Sequence, residues 1–170
     1  MLRGVPLLVT LGLLAAVPAA AKLPQWDERI DKSKRFTVLK SFDSAAARDD
    51  ETGLVWDLSP FQGTTTWYGA RFQCLRRVVG GRMGWRLPTA EEFLSLADAT
   101  GANPVIPAGH PFSGNNQNFW TATSDDGDPR LAVAVRGDDF TVQIATKTVG
   151  GPAGYWCVRG GQGPDGQLEE

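Results

Sequence analysis

The sequence predicts an α+β domain, and three observations carry that reading. Two segments, 64–79 and 89–100, place apolar residues at helical spacing behind good N-cap residues. Four short apolar runs separated by Asp/Gly turns follow them, at NFWTATS, RLAVAVR, DFTVQIATKT and GYWCVRG. Short strand-like runs precede the helices, so strands cluster apart from helices instead of alternating with them.

The domain has an export signal in front of it. Arg3, the apolar run LLVTLGLLAAV and the triplet Ala19-Ala20-Ala21 form the three parts of a signal peptide over residues 1–21. Gly12 interrupts the run and Pro18 ends it, short of the roughly 20 residues that cross a bilayer. Cleavage after Ala21 is expected to leave no transmembrane anchor. No cysteine follows the run to carry a lipid. The destination is periplasmic or secreted. The mature 149 residues hold 16 basic and 19 acidic side chains, a balance without the basic stripe that nucleic acid requires. Only Cys74 and Cys157 are present, and in an oxidising compartment two cysteines are expected to pair.

Along the chain, residues 22–47 read as a lead-in, 48–160 as the domain and 161–170 as a flexible tail. FTVLKSF (36–42) alternates as a first strand, with AAARDD able to add a short helix. The turn Asp50-Glu51-Thr52-Gly53 then leads to a strand at Leu54-Val55-Trp56. The first helix is capped by Thr65 or Thr66, carries Trp67, Ala70, Cys74, Leu75 and Val78 on one face, and ends at Gly80-Gly81. The second begins at Thr89, where Glu92 completes a capping box and Glu91 complements the helix dipole. Pro88 holds Leu87 extended, so the chain turns sharply into the helix, and Phe93, Leu96 and Ala97 face inward. Residues 102–117, rich in Pro, Gly and Asn, form a long loop. Trp56, Trp67, Trp85, Trp120 and Trp156 lie on apolar patterns and read as core. Trp26 falls outside them.

Taken in order, TGLVW (52–56), TWYGARFQC (66–74), GWRLPTAEEF (84–93), NFWTATS and WCVRG (156–160) resemble the Lcl C-terminal domain family of bacteria. The resemblance implies a C-type-lectin-like fold: a small twisted antiparallel sheet, two helices, a long loop region, and a disulfide from first helix to last strand. The entrance Trp85-Arg86-Leu87-Pro88-Thr89 with Glu92 is also similar to that of formylglycine-generating, sulfatase-modifying enzymes, which rely on two reactive, copper-binding cysteines. With Cys74 and Cys157 paired no thiol is left for that chemistry, so this likeness is one of scaffold. Trp85 then fills core between helix and sheet, and Arg86 fastens the turn to a carboxylate or to loop carbonyls.

No catalytic constellation emerges. His110, the single histidine, has no serine or cysteine motif beside it. One histidine and two paired cysteines do not make a zinc site. Asp125, Asp126 and Asp128 could wrap a hard cation, but the Glu-Pro-Asn, Gln-Pro-Asp and Trp-Asn-Asp triplets of calcium-dependent lectins are absent, and the run reads as a solvated turn. No cofactor is expected. Arg136-Gly137-Asp138 spells an integrin tripeptide, but it stands between two strands where turn chemistry accounts for it. If the protein has a binding surface, the loop with Asn103, His110, Asn115 and Asn116, together with the acidic turn, is where it is expected. The resulting expectation is an exported, non-catalytic binding or adhesion module contacting polysaccharide or protein. The alternatives are an enzyme of the sulfatase-modifying type and a purely structural envelope component.

Overall fold

Asp49 decides how the first sheet begins. Its carboxylate accepts from the backbone N–H of Glu51 and the hydroxyl of Thr52, and Gly53 at φ 75° closes the turn. That hairpin joins β2 (Ala46–Asp49) to β3 (Val55–Asp57) in the computed structural model, which describes residues 34–98, 105–148 and 153–161. The first sheet has the order β1-β2-β3-β8, all antiparallel, with β1 at Phe36–Val38 and β8 at Val158–Arg159. The Ala-rich stretch that could have been helical is therefore strand β2. It pairs on both edges, and that pairing overrides alanine's helix preference. The folded body also starts earlier than residue 48, since β1 and half of β2 fall within 22–47.

The second sheet, β6-β5-β4-β7, contains β4 (Asn118–Ser124), β5 (Leu131–Arg136), β6 (Val142–Thr146) and β7 (Ala153–Tyr155). Its β4·β7 pair is parallel. The α+β fold with two helices holds, and its strands are shared between an antiparallel and a mixed four-stranded sheet. The run GYWCVRG is split between them: Tyr155 ends β7 in the second sheet, while Val158 begins β8 in the first. Trp156 and Cys157 bridge the change. Trp156 Nε1 donates to the carbonyl of Asp57 (2.7 Å), and the Asp57 N–H donates to the carbonyl of Cys157 (3.1 Å).

Two cores lie on opposite faces of the second sheet, because neighbouring residues of a strand point to opposite sides. Trp120 joins Trp67, Ala70, Cys74, Trp85 and Ala132 on one face. Phe119 joins Trp56, Phe93, Leu96, Val135 and Trp156 on the other. α1 (Trp67–Leu75) covers the first. Thr66 caps it by accepting from Gly69 N–H, and Trp67, Ala70 and Cys74 are its buried residues. The helix stops at Leu75, short of the expected Gly80-Gly81, and Leu75 and Val78 are exposed instead of buried. Leu75 stands about 100° round the helix from Cys74, off the narrow buried stripe. Arg77 then pulls the chain out of register by pairing with Asp57 (2.6 Å).

α2 (Ala90–Leu94) covers the second core. Thr89 and Glu92 form the reciprocal capping box, and Phe93 and Leu96 are fully buried. Four of the five core tryptophans satisfy their indole N–H: Trp67 on Thr121, Trp85 on Arg82, Trp120 on Thr65 and Trp156 on Asp57. Trp56 Nε1 is buried without a partner among the described residues. Residues 1–33, with the expected export signal and Trp26, lie outside the described residues. Among the described residues, no helix is long and apolar enough to cross a membrane.

Candidate binding surface

Cys74 and Cys157 are bonded, tying the buried face of α1 to the junction of the two sheets across 83 residues of sequence. Both cysteines of the chain are used in this bond, so the thiol pair of a sulfatase-modifying chemistry is not free. A bond of this kind is compatible with an exported protein.

The entrance to α2 is a fastening. Arg86 Nη1 and Nη2 each donate to one oxygen of Glu92 at 2.7 Å, and Nη2 also donates to the Gly160 carbonyl. The backbone of Arg86 exchanges two hydrogen bonds with Val158 of β8. Glu92 thus serves the cap and the ion pair together. Pro88 accepts from Ala122 N–H and is buried. The polar groups of Arg86, Thr89 and Glu92 are thus taken up by their own neighbours.

The acidic turn is likewise occupied. Asp125 accepts from the N–H groups of Gly127 and Asp128. Asp128 accepts from the side chain and backbone N–H of Arg130, and these bonds hold its carboxyl at about 2. Lys147, buried over the Trp67 ring, places a second cation there by donating to Ser124 and the Pro129 carbonyl. Asp126 stands exposed at the tip. Built-in cations already supply the charge a bound metal would bring.

The loop is a different surface. Ile106 and Phe112 are buried in the α2-side core, and Phe112 packs edge-on to Trp156 (5.0 Å between ring centres). Ser113 donates from N–H and hydroxyl to the Leu58 carbonyl. The apolar anchors fix the loop, and its polar residues emerge between them. His110 stacks on Phe112, and its Nδ1 accepts from Phe112 N–H (3.2 Å). Partial burial lowers its pKa. Asn115 donates to the Gly137 carbonyl, Gly137 N–H donates to the Gln117 carbonyl, and Asn116 is exposed. Asn103 lies outside the described residues.

The loop and the acidic turn do not meet. They occupy opposite ends of the seven-residue strand β4, about 20 Å apart at 3.3 Å per residue. The loop's neighbours are instead the β5–β6 turn, where Arg136 folds back on Asp138 (2.5 and 2.8 Å), and a stacked pair missing from the sequence reading. Phe61 and Tyr155 lie face to face at 4.9 Å, with Phe61 exposed. Gln117 Nε2 donates to the Phe61 carbonyl, and Gln62 lies against Gly114. Asn118 donates to Gln143, and its own Oδ1 is buried without a partner among the described residues. This end of the sheet gathers six amide side chains, Asn115 and Asn116 included, beside an aromatic stack. Phe61 and Tyr155 are 94 residues apart, and only the sheet pairing brings them together.

No curated protein and no solved structure matches this chain. The model of the Lcl C-terminal domain matches residues 45–159, and this span contains the capping entrance, both cysteines and the amide-lined end of the sheet. By that match the chain belongs to the Lcl C-terminal domain family, a group of bacterial surface-associated domains.

Proposed function

We propose that this protein is an exported, non-catalytic binding or adhesion module of the bacterial cell envelope that contacts polysaccharide through the end of the sheet where β4 begins. The observation that carries the reading is the loop's construction. Buried Ile106 and Phe112 anchor it, while Asn115, Asn116 and Gln117 stand at the surface beside Gln62 and the Phe61–Tyr155 stack. Amides hydrogen-bond hydroxyl groups in both directions, and aromatic faces pack against the C–H faces of sugar rings. A loop held rigid before binding loses little entropy on binding.

The test is a glycan array with the purified mature protein, followed by titration. Saturable binding that falls at least tenfold in N116A and F61A, with Tm unchanged, supports the reading. Absence of binding to every envelope polymer overturns it. The sulfatase-modifying alternative requires free thiols. Two titratable thiols in natively purified protein would restore it.

A further inference from the structure

We propose that α1 and the hairpin tip that follows it form a second docking surface, one that rests on an anionic lipid bilayer. The outward side of α1 is apolar: Tyr68 is 56% exposed, Phe72 53% and Leu75 60%, at spacings of four and three residues that align them along the helix. Val78 at 56% and Met83 at 62% extend the patch to the tip, where Val79 and Arg82 exchange both backbone hydrogen bonds around Gly80-Gly81. Among the described residues, five of the eleven large exposed apolar side chains lie in these sixteen residues. The opposite side of the helix is fully used by the core, so this second face is not required for folding.

Charge identifies the occupant. From Leu58 to Ala90 the chain holds five arginines and no carboxylate, although acidic residues outnumber basic ones over the whole sequence. Arg77 and Arg86 are consumed by Asp57 and Glu92. Arg71, Arg76 and Arg82 have no carboxylate partner among the described residues. They lie over the rings of Trp67, Phe72 and Phe42 at 4.7, 5.1 and 5.0 Å. An anionic polysaccharide would pair with these arginines and leave Leu75, Val78 and Met83 in water. A second copy would cover the apolar side chains but bring Arg71 and Arg76 of both copies together across a two-fold contact. A bilayer interface satisfies both sets at once: apolar side chains enter the headgroup–acyl boundary while arginines reach lipid phosphates. The loop's anchors, Ile106 and Phe112, belong to the core on the other face of the β4–β7 sheet, so they contribute nothing to the α1 surface.

The experiment is co-sedimentation of the purified mature protein with vesicles of phosphatidylglycerol and phosphatidylcholine, or of phosphatidylcholine alone. Binding to the phosphatidylglycerol vesicles, weakened by salt and absent on phosphatidylcholine, is expected. R71A and R76A should each weaken it about fivefold. The double variant F72S/L75S should weaken it at least tenfold, with disulfide and Tm retained because both side chains are exposed. N116A should leave vesicle binding unchanged, which separates this surface from the loop. Failure to sediment with phosphatidylglycerol vesicles overturns the proposal. So does binding that survives F72S/L75S, which marks a contact made by charge alone, or a dimer in analytical ultracentrifugation that F72S dissociates.

Discussion

The two faces of the β4–β7 sheet are stabilised in different ways. On the α1 side a covalent bond joins the helix to the junction between β7 and β8, and the polar groups not used in the core point outward as arginines between exposed apolar residues. On the α2 side no covalent bond acts. There the arginines are turned inward: Arg35 grips Asp49 at 2.8 and 2.9 Å and reaches the carbonyl of Ser95, and Arg86 grips Glu92. The difference teaches that a helix stapled covalently can leave its charged residues to an outside partner, whereas a helix held by ion pairs has to keep them.

Breaking the staple should have the largest effect. The chain-entropy account gives about 4–5 kcal/mol for a closed loop of this length. C74S/C157S should therefore lower the denaturation free energy by up to that amount, read by urea unfolding of oxidised protein against the variant. An unchanged midpoint would show that the α1 side holds without its covalent tie.

Removing Arg35 should come next and act on the other face. Both members of the Arg35–Asp49 pair are almost wholly buried, and R35A leaves the Asp49 carboxylate with its Glu51 and Thr52 hydrogen bonds but without its cation. Loss of one partner from such a pair costs about 3–5 kcal/mol. The same variant should leave the Cys74–Cys157 bond intact, as mapping of unreduced peptides would show. Arg35 lies outside the matched span 45–159, so a chain trimmed to that span should lose comparable stability.

A smaller contrast separates two tryptophans of one core. Trp156 Nε1 donates to Asp57, whereas Trp56 Nε1 has no acceptor among the described residues. W156F and W56F remove the same ring volume, but only W156F leaves a buried carbonyl without its donor. W156F should therefore be about 1–2 kcal/mol more destabilising than W56F in the same unfolding assay. Equal costs would mean the indole bond contributes little.

How much of this was legible in the sequence follows from the range of each interaction. The α2 entrance could be read residue by residue, because Thr89, Glu92 and Pro88 act on neighbours within one turn. The pairing of Cys74 with Cys157 was also legible, since only two cysteines exist. Arg35 was hidden in an apparently loose lead-in, because its partner Asp49 is set by strand pairing and by no local pattern. The split of GYWCVRG was equally hidden: an apolar run carries no mark of where a strand leaves one sheet for another. The first helix was read too long because Leu75 and Val78 fit the period of the buried face. Apolar character does not say which side of a helix has a partner. The surface at the start of β4 was half legible. The asparagines announced themselves by composition, while Phe61 and Tyr155 meet only through the bridge at the edge of β7.

The least perturbing change is protonation of a single side chain. Burial lowers the pKa of His110 below its ordinary value near 6.5, so the unfolded chain binds the proton more readily than the folded loop does. Stability linked to this group is therefore present above pH 6.5 and declines as pH falls through and below that value. Protonation also removes the acceptor lone pair at Nδ1 that receives Phe112 N–H, which adds a geometric reason for the same sign. Asp128 does not blur the measurement. Its carboxyl is held at about 2 by Arg130, so its contribution is present above the ordinary carboxylate range and is lost as pH falls from that range through about 2, below the interval measured. Relative to the intrinsic, base-catalysed rate, which itself slows as pH falls, amide exchange at Phe112 and Ser113 in the wild type should rise from pH 7.5 to 5, and H110N should flatten that dependence. Because Phe112 belongs to the Trp156 core and Cys157 to the stapled one, the exchange increase should stay on the α2 side and leave α1 unmoved. If residues 67–75 loosen in parallel, the two faces are not independent and the division between a stapled side and an ion-paired side fails.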